Sequence, residues 1–131
     1  MNYLLDTNIC IYYLKGQYGL NEKLKSIGAN ALFISEITLA ELKYGVANSL
    51  SPEKNTLALD KFLSGVNILP IFDALDIYAL EKARLRKLGK PVDDFDIIIG
   101  ASAISNNMIL VTNNVKHFER LENINIENWT E

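Results

Sequence analysis

The feature that most constrains the fold is an alternation of short apolar runs with longer segments that have helical spacing. The apolar runs have the length and composition of buried strands, and between them apolar residues recur every three or four positions. Strands that alternate with helices predict a parallel sheet covered on both faces and connected by right-handed crossovers. The expected strands are Tyr3–Leu5, Leu32–Ser35, Val66–Leu69, Met108–Thr112 and Ile124–Glu127. The expected helices span roughly residues 8–15, 20–27, 36–49, 53–64, 73–88, 95–106 and 114–120.

Composition and cysteine content narrow the class of protein. The 131 residues are 49% hydrophobic and 22% charged, which is typical of one globular domain spanning residues 1–131. No segment is long and apolar enough to cross a membrane, and no signal peptide is apparent. Cys10 is the only cysteine, so we expect a buried hydrophobe and a cytoplasmic location. The net charge of -3 argues against a protein that coats nucleic acid by bulk electrostatics.

The first expected strand ends at a carboxylate. Asp6 directly follows the run Tyr3–Leu5, and Thr7 and Asn8 come next. In open parallel sheets, ligands bind beyond the carboxyl ends of the strands, which gives Asp6 a functional location. The alternative is structural, because Asp, Thr and Asn are all good helix caps and one of the three is expected to cap the helix that follows.

A second carboxylate, Glu41, belongs to the segment EITLAELKYG. The residues three and four positions away on this predicted helix are Ile37, Thr38, Tyr44 and Gly45, none of them charged. A solvated glutamate usually has charged neighbours on its face of the helix, and a buried one needs a partner. The pattern therefore favours a functional role over a solvated surface position.

A third acidic cluster, Asp93, Asp94 and Asp96, begins the helix VDDFDIIIGASA. Anions stabilise a helix N-terminus, but one cap and one first-turn carboxylate satisfy that need. Asp96 shares its face with Gly100 and Ala103, so we expect it to point inward near the end of the sheet. Asp94 is the expected N-cap, and Asp93 is expected to be solvent-exposed.

Polar residues also follow the fourth apolar run, where Thr112, Asn113 and Asn114 precede a short helix. Turn formation alone explains asparagine there. If the acidic residues meet at this edge, their repulsion is offset either by proton sharing or by a hard divalent cation with oxygen ligands. A zinc site is not indicated, because His117 is the only histidine and is expected at the surface.

Taken together, these motifs resemble those of the PIN-domain ribonucleases, and within them the VapC toxins. The similarity runs nearly end to end, through LLDTNICIYYL, ISEITLAELKYG, GKPVDDFDIIIGASA and LVTNNVKHFERL to the closing IENWTE. Four motifs in this order and at this spacing form a specific signal. The resemblance implies a PIN-like three-layer α/β sandwich, with a parallel sheet of about five strands flanked by about seven helices.

The resemblance also implies the site. It identifies Asp6, Glu41 and Asp96 as catalytic residues that bind Mg²⁺ or Mn²⁺. Asn114 matches a position where many members have a fourth acidic residue, and Asp94 matches a position that is often acidic. Three further residues match family positions whose polar side chains position ligands or waters around the site: Thr7, Asn8 and Thr112.

The implied activity is endonucleolytic hydrolysis of RNA, giving 5′-phosphate and 3′-hydroxyl ends, with tRNA anticodon loops among the family's substrates. The implied partners are a second copy in a homodimer and a VapB-like antitoxin, which carries the domain that binds operator DNA. Basic residues late in the fifth helix and after the fourth motif are candidates for RNA contact, although cations also suit a helix C-terminus. These candidates are Arg84, Arg86, Lys87, Lys90, Lys116 and Arg120.

Two other interpretations remain open from the sequence. A receiver-like phosphoacceptor domain is also α/β, but it requires adjacent acidic residues after the first strand and a lysine after the last. Asp6 stands alone, and the tail ENWTE has no lysine. A PIN domain that binds RNA or a partner without cleaving it is the second alternative, because Asn114 is not acidic.

Overall fold

A computed structural model describes all 131 residues and contains a five-stranded parallel sheet with the order β3-β2-β1-β4-β5. The strands are β1 (Tyr3–Leu5), β2 (Leu32–Ser35), β3 (Asn67–Leu69), β4 (Ile109–Val111) and β5 (Asn125–Glu127). The helices are α1 (Thr7–Leu14), α2 (Leu20–Ile27), α3 (Glu36–Ala47), α4 (Pro52–Leu63), α5 (Leu75–Lys87), α6 (Asp94–Ser105) and α7 (Val115–Phe118). The predicted α/β sandwich is confirmed, and every predicted bound lies within two residues of the observed one.

The sheet separates two apolar cores. Successive side chains of a strand point to opposite faces, so Leu4 packs in one core and Leu5 in the other. Helices α1 to α4 cover the face of Leu5, where Ile9 and Phe62 are buried. Helices α5 to α7 cover the face of Leu4. The central strands β1, β2 and β4 are largely buried on both faces, which explains why their runs are continuously apolar rather than alternating.

The order of the strands reverses at the centre of the sheet. From β1 the chain builds outward through β2 to β3, and then returns to place β4 and β5 on the other side of β1. The crevice between the carboxyl ends of β1 and β4 is therefore the position at which such sheets bind ligands. Asp6 follows β1 and Thr112 follows β4, so both lie at this crevice.

A glycine brings α6 close to the segment after α7. A Cβ atom on Gly100 would overlap the end of the Leu121 side chain, so any other residue there would force Leu121 to move. Phe118 of α7 lies in ordinary contact with the same position. The close packing fixes the first turn of α6 beside α7, and this sets the neighbours of Asp96.

Two further properties follow from the helices and the core. No helix combines the length and the apolar character that a bilayer span requires. Cys10 lies on the buried face of α1 and is completely buried, as predicted. Burial raises the pKa of its thiol far above the ordinary value, which leaves it unreactive.

Candidate active site

A cleft of about 570 Å³ opens at the carboxyl edge of the sheet. The structure brings Asp6, Glu41 and Asp96 into its lining from three distant parts of the chain. Its remaining lining residues are Thr7, Asn8, Ile11, Ala40, Tyr44, Gly45, Phe95, Asn114 and Phe118. No lysine or arginine is among them, so the cleft is acidic and its carboxylates have no cationic side chain opposite them.

Asp6 is both the N-cap of α1 and a buried member of the cleft. Its Oδ1 accepts a hydrogen bond of 2.8 Å from the backbone N–H of Thr7, and its Oδ2 accepts one of 2.8 Å from Thr112 Oγ1. The backbone N–H of Asp6 donates to the carbonyl of Val111 at 2.9 Å, which ties the end of β1 to β4. The capping and functional interpretations of this residue are therefore compatible.

Burial dominates the protonation of Asp6. Its side chain has only neutral donors, and desolvation raises its pKa to about 6 from an ordinary value of 3.8. The hydrogen bonds from Thr112 and Thr7 oppose this rise, whereas the negative charges of Asp96 and Glu41 add to it. A cation bound beside Asp6 would oppose this rise, because it favours the charged form of the carboxyl.

Two threonines connect Glu41 to the end of β1. Thr7 Oγ1 donates to Glu41 Oε1 at 2.7 Å and lies 3.0 Å from Thr38 Oγ1. A hydroxyl has one hydrogen, so Thr38 must donate to Thr7 when Thr7 donates to Glu41. Thr38 is fully buried and was not predicted as a supporting residue. Its position one turn before Glu41 on α3 is the signal that would have identified it.

Asp96 has a partner, His117, that was not predicted from the sequence. His117 Nε2 lies 2.9 Å from Asp96 Oδ2, and both side chains are half-buried. The surface position expected for His117 is therefore wrong, because α7 packs against the first turn of α6. Burial raises the pKa of Asp96, and the opposing effect of His117 is the next largest influence.

The polar residues after β1 and β4 occupy different depths. Asn8 and Asn114 are exposed and line the cleft, so their amides are accessible to a ligand. Thr112 is completely buried, donates to Asp6 and accepts from the backbone N–H of Asn114 at 3.0 Å. It therefore holds both the carboxylate and the turn that presents Asn114.

Asp94 does not join the cleft. The N-cap of α6 is Asp93, which is exposed as expected, and Asp94 is the first helical residue, so the prediction that Asp94 is the N-cap is wrong. Two residues of α-helix separate Asp94 from Asp96 by about 200° around the axis, which points Asp94 away. Its carboxylate pairs with Lys82 at 2.7 Å and accepts from Tyr78 Oη at 3.0 Å, and Lys82 lowers its pKa.

The candidate RNA contacts also lie outside the cleft lining. Arg84 is engaged elsewhere, since its Nε donates to Glu81 at 2.7 Å and its Nη2 donates to the carbonyl of Arg120 at 2.6 Å. It is therefore not a free cation for RNA. The others are exposed around the end of α5, on α7 and just after it: Arg86, Lys87, Lys90, Lys116 and Arg120.

The donor chemistry of the cleft suits a hard cation that keeps part of its water shell. No three His, Cys, Asp or Glu side chains are arranged as a ready-made ligand cluster. Mg²⁺ is commonly held by one or two carboxylates together with several waters, so it does not require such a cluster. Oxygen donors and the absence of thiolates fit Mg²⁺ or Mn²⁺ better than zinc.

Comparisons with known proteins define the family. The model of the PIN domain matches residues 3–124. Ribonuclease VapC2 of Rickettsia felis is 40% identical, and tRNA(fMet)-specific endonuclease VapC of Salmonella typhimurium is 35% identical, each match covering 98% of both chains. A chain of the crystal structure of DNA-bound VapBC from Salmonella typhimurium superimposes with a TM-score of 0.92 at 35% identity, again over 98% of both chains.

The chain therefore belongs to the PIN-domain family and, within it, to the VapC ribonucleases of VapBC toxin–antitoxin systems. This confirms the resemblance seen in the sequence and excludes the receiver-like alternative.

Proposed function

We propose that this chain is a metal-dependent endoribonuclease acting as the toxin of a bacterial toxin–antitoxin pair. The observation that carries the proposal is the convergence of Asp6, Glu41 and Asp96 on one cleft that has no lysine or arginine in its lining. Carboxylates that meet in a cleft without a lysine or arginine partner are a signature of a functional site, since a structural ion pair would supply such a cation from the chain.

The ion proposed for this site is Mg²⁺ or Mn²⁺, held by Asp6, Glu41 and Asp96 together with several waters of its own shell. When bound, such an ion can activate a water, orient the scissile phosphate and neutralise the charge that develops in the transition state. We expect hydrolysis to leave 5′-phosphate and 3′-hydroxyl ends.

Neutral residues of the chain prepare the site. Thr112 and the backbone N–H of Thr7 fix the carboxylate of Asp6, and the Thr7 hydroxyl fixes that of Glu41. Asn8 and Asn114 present amide groups in the cleft, and an amide N–H can donate to a non-bridging phosphate oxygen. Asn114 also offers a neutral carbonyl oxygen where many family members have a charged ligand.

The proposed substrate and partners follow from the relatives. One Salmonella relative is named a tRNA(fMet)-specific endonuclease, so we propose tRNA as the first substrate to test. A related chain lies in a DNA-bound VapBC complex. We therefore propose a VapB-like antitoxin that contacts operator DNA, a homodimer of this chain, and a cytoplasmic location. The exposed basic residues Arg86, Lys87, Lys90, Lys116 and Arg120 remain the proposed contacts to RNA phosphates.

The decisive experiment compares two aspartates of the same helix turn. Purified chain is incubated with tRNA and Mn²⁺, with and without excess EDTA, beside Asp96→Asn and Asp94→Asn. We expect EDTA and Asp96→Asn to lower the cleavage rate by about 10²–10³-fold, the scale for losing one electrostatic stabiliser of a transition state. Asp94→Asn is the matched control and keeps the wild-type rate, because its carboxylate pairs with Lys82 outside the cleft.

Each alternative has its own outcome in this experiment. Equal cleavage with EDTA present would overturn the metal mechanism. Equal losses of cleavage rate in Asp96→Asn and Asp94→Asn would show that Asp96 has no role that Asp94 lacks. Binding of tRNA by the wild-type chain without any cleavage would favour the PIN domain that binds but does not cut.

A further inference from the structure

Two aromatic rings stand exposed in the wall of the cleft. Tyr44 is 68% exposed and Phe95 is 48% exposed, and both line the cleft with the carboxylates. Tyr44 lies three residues after Glu41 on α3, and Phe95 directly precedes Asp96 on α6. Each ring therefore sits beside one carboxylate of the candidate site. Neither ring stacks on another aromatic residue of the chain.

The charge of the cleft limits how RNA can be held there. Its lining has three carboxylates and no lysine or arginine, so these side chains repel the phosphates of a nucleic acid strand. A bound cation would offset that repulsion most strongly at the phosphate it contacts. The attractive surface that remains on either side of this phosphate consists of ring faces and neutral amides.

We infer that Tyr44 and Phe95 are stacking platforms for unpaired bases next to the scissile phosphate. Bases stack on aromatic side chains with a favourable free energy that does not depend on phosphate charge. In a duplex each base already stacks on its neighbours, so only a single-stranded or looped segment can offer its faces to the rings. The cleft thus selects single-stranded RNA, and this inference rests on the proposed function because it takes the cleft as the site that RNA enters.

The test measures binding separately from cleavage. All variants are made in an Asp6→Asn chain so that the RNA stays intact, and affinity for a fluorescent single-stranded RNA oligonucleotide is measured by anisotropy with Mn²⁺ present. We expect Tyr44→Ala and Phe95→Ala each to weaken binding by about 5- to 150-fold, the range for loss of one stacked base. Tyr44→Phe and Phe95→Tyr keep a ring and therefore keep the parent affinity.

The matched control is Phe72→Ala. Phe72 is another exposed aromatic residue, but it lies in the short 3₁₀ helix before α5 and outside the cleft. We expect it to leave the affinity unchanged, and we expect the affinity for a blunt RNA duplex to be the same in every variant. Since all three rings are exposed, the alanine variants should unfold at the parent temperature.

Several results would overturn the inference. They are parent-like affinity in both alanine variants of the cleft, an equal loss in Phe72→Ala, or no measurable binding of single-stranded RNA by the Asp6→Asn chain. Unchanged RNA affinity with a changed mass in light scattering would assign the rings to contact with a second copy. Unchanged affinity with lost neutralisation by a co-expressed antitoxin would assign them to the antitoxin. Failure of the proposed function is distinguishable, because it appears as EDTA-insensitive or absent cleavage by the wild-type chain.

Discussion

Two carboxylates of this chain are almost equally buried and have opposite surroundings. Glu81 on α5 is 7% exposed and Asp6 at the sheet edge is 4% exposed. Glu81 accepts from Arg84 Nε at 2.7 Å, from Arg84 Nη2 at 3.0 Å and from the backbone N–H of Glu122 at 2.7 Å. Asp6 accepts only from a hydroxyl and a backbone N–H.

The surroundings decide the charge of each group. Hydrogen bonding to Arg84 lowers the pKa of Glu81, whereas burial raises the pKa of Asp6 to about 6. The bidentate pair lets Glu81 hold α5 to the segment after α7, which is a structural task. At Asp6 the fold supplies no cation, although a buried charge without a partner is costly. The difference indicates that the partner of Asp6 comes from outside the chain.

The largest effect that this comparison predicts is an increase in the free energy of unfolding of Asp6→Asn. A carboxyl whose folded pKa is raised stabilises the fold fully below its unfolded pKa and loses this contribution as the pH rises through about 6. The shift from 3.8 to about 6 corresponds to about 3 kcal/mol. In EDTA, the metal-free Asp6→Asn chain should therefore exceed wild type in free energy of unfolding by only about 1 kcal/mol near pH 4.5 and by about 3 kcal/mol at pH 7.5.

Urea unfolding at the two pH values checks this prediction. Adding Mn²⁺ at pH 7.5 should stabilise wild type and narrow the gap, because an ion that binds only the folded state adds stability by mass action. A gap of the same size at both pH values would show that Asp6 is not an uncompensated charge. If Mn²⁺ does not change the difference in free energy of unfolding, the cost of the buried Asp6 charge is unrelated to metal binding.

The sequence predicted the architecture because its signals are local. The apolar runs fixed the strands, and the helical spacing fixed the faces of α3 and α6 that carry Glu41 and Asp96. The contact between Asp96 and His117 could not be predicted in this way. It depends on how Gly100 lets α6 pack against the segment after α7, which is a long-range property.

Other errors have local causes. The start of α6 lies one residue earlier than predicted, and this shift moved the cap from Asp94 to Asp93. The pairing of Arg84 with Glu81 was readable from their spacing of three residues on a helix. The basic run alone suggested RNA contact, whereas Glu81 lies one turn before Arg84 and pairs with it.

A smaller effect of opposite sign, a loss of stability, is expected when the paired carboxylate Glu81 is neutralised. Glu81→Gln keeps the shape but loses the charge, so Arg84 is left with a weak acceptor. We expect a loss of about 2 kcal/mol in the free energy of unfolding, within the range for hydrogen bonds to charged groups. Urea unfolding at pH 7.5 measures it, and RNA cleavage at a temperature where the variant is folded should be unchanged.

The control for this variant is Glu119→Gln, which neutralises an exposed glutamate that forms no ion pair. It should leave the free energy of unfolding unchanged. A Glu81→Gln chain as stable as wild type would mean that the Arg84 pair does not hold α5 in place. The contrast with Asp6 would then be one of pKa and not of stability.

Asp96 lies between the two extremes, since it is half-buried and has one partner in His117. We expect the ring to orient the carboxylate by donating from Nε2 to Oδ2, which leaves Oδ1 for the cleft. Loss of such a supporting partner lowers metal affinity by about 10-fold at the weak end of the range. His117→Ala should therefore bind Mn²⁺ about 10-fold more weakly in calorimetry, whereas His117→Gln should keep wild-type affinity because its amide N–H can replace Nε2.

If the alanine variant binds Mn²⁺ as wild type does, the pair only packs α7 against α6. If glutamine fails to rescue, the ring itself and not its N–H is what Asp96 requires.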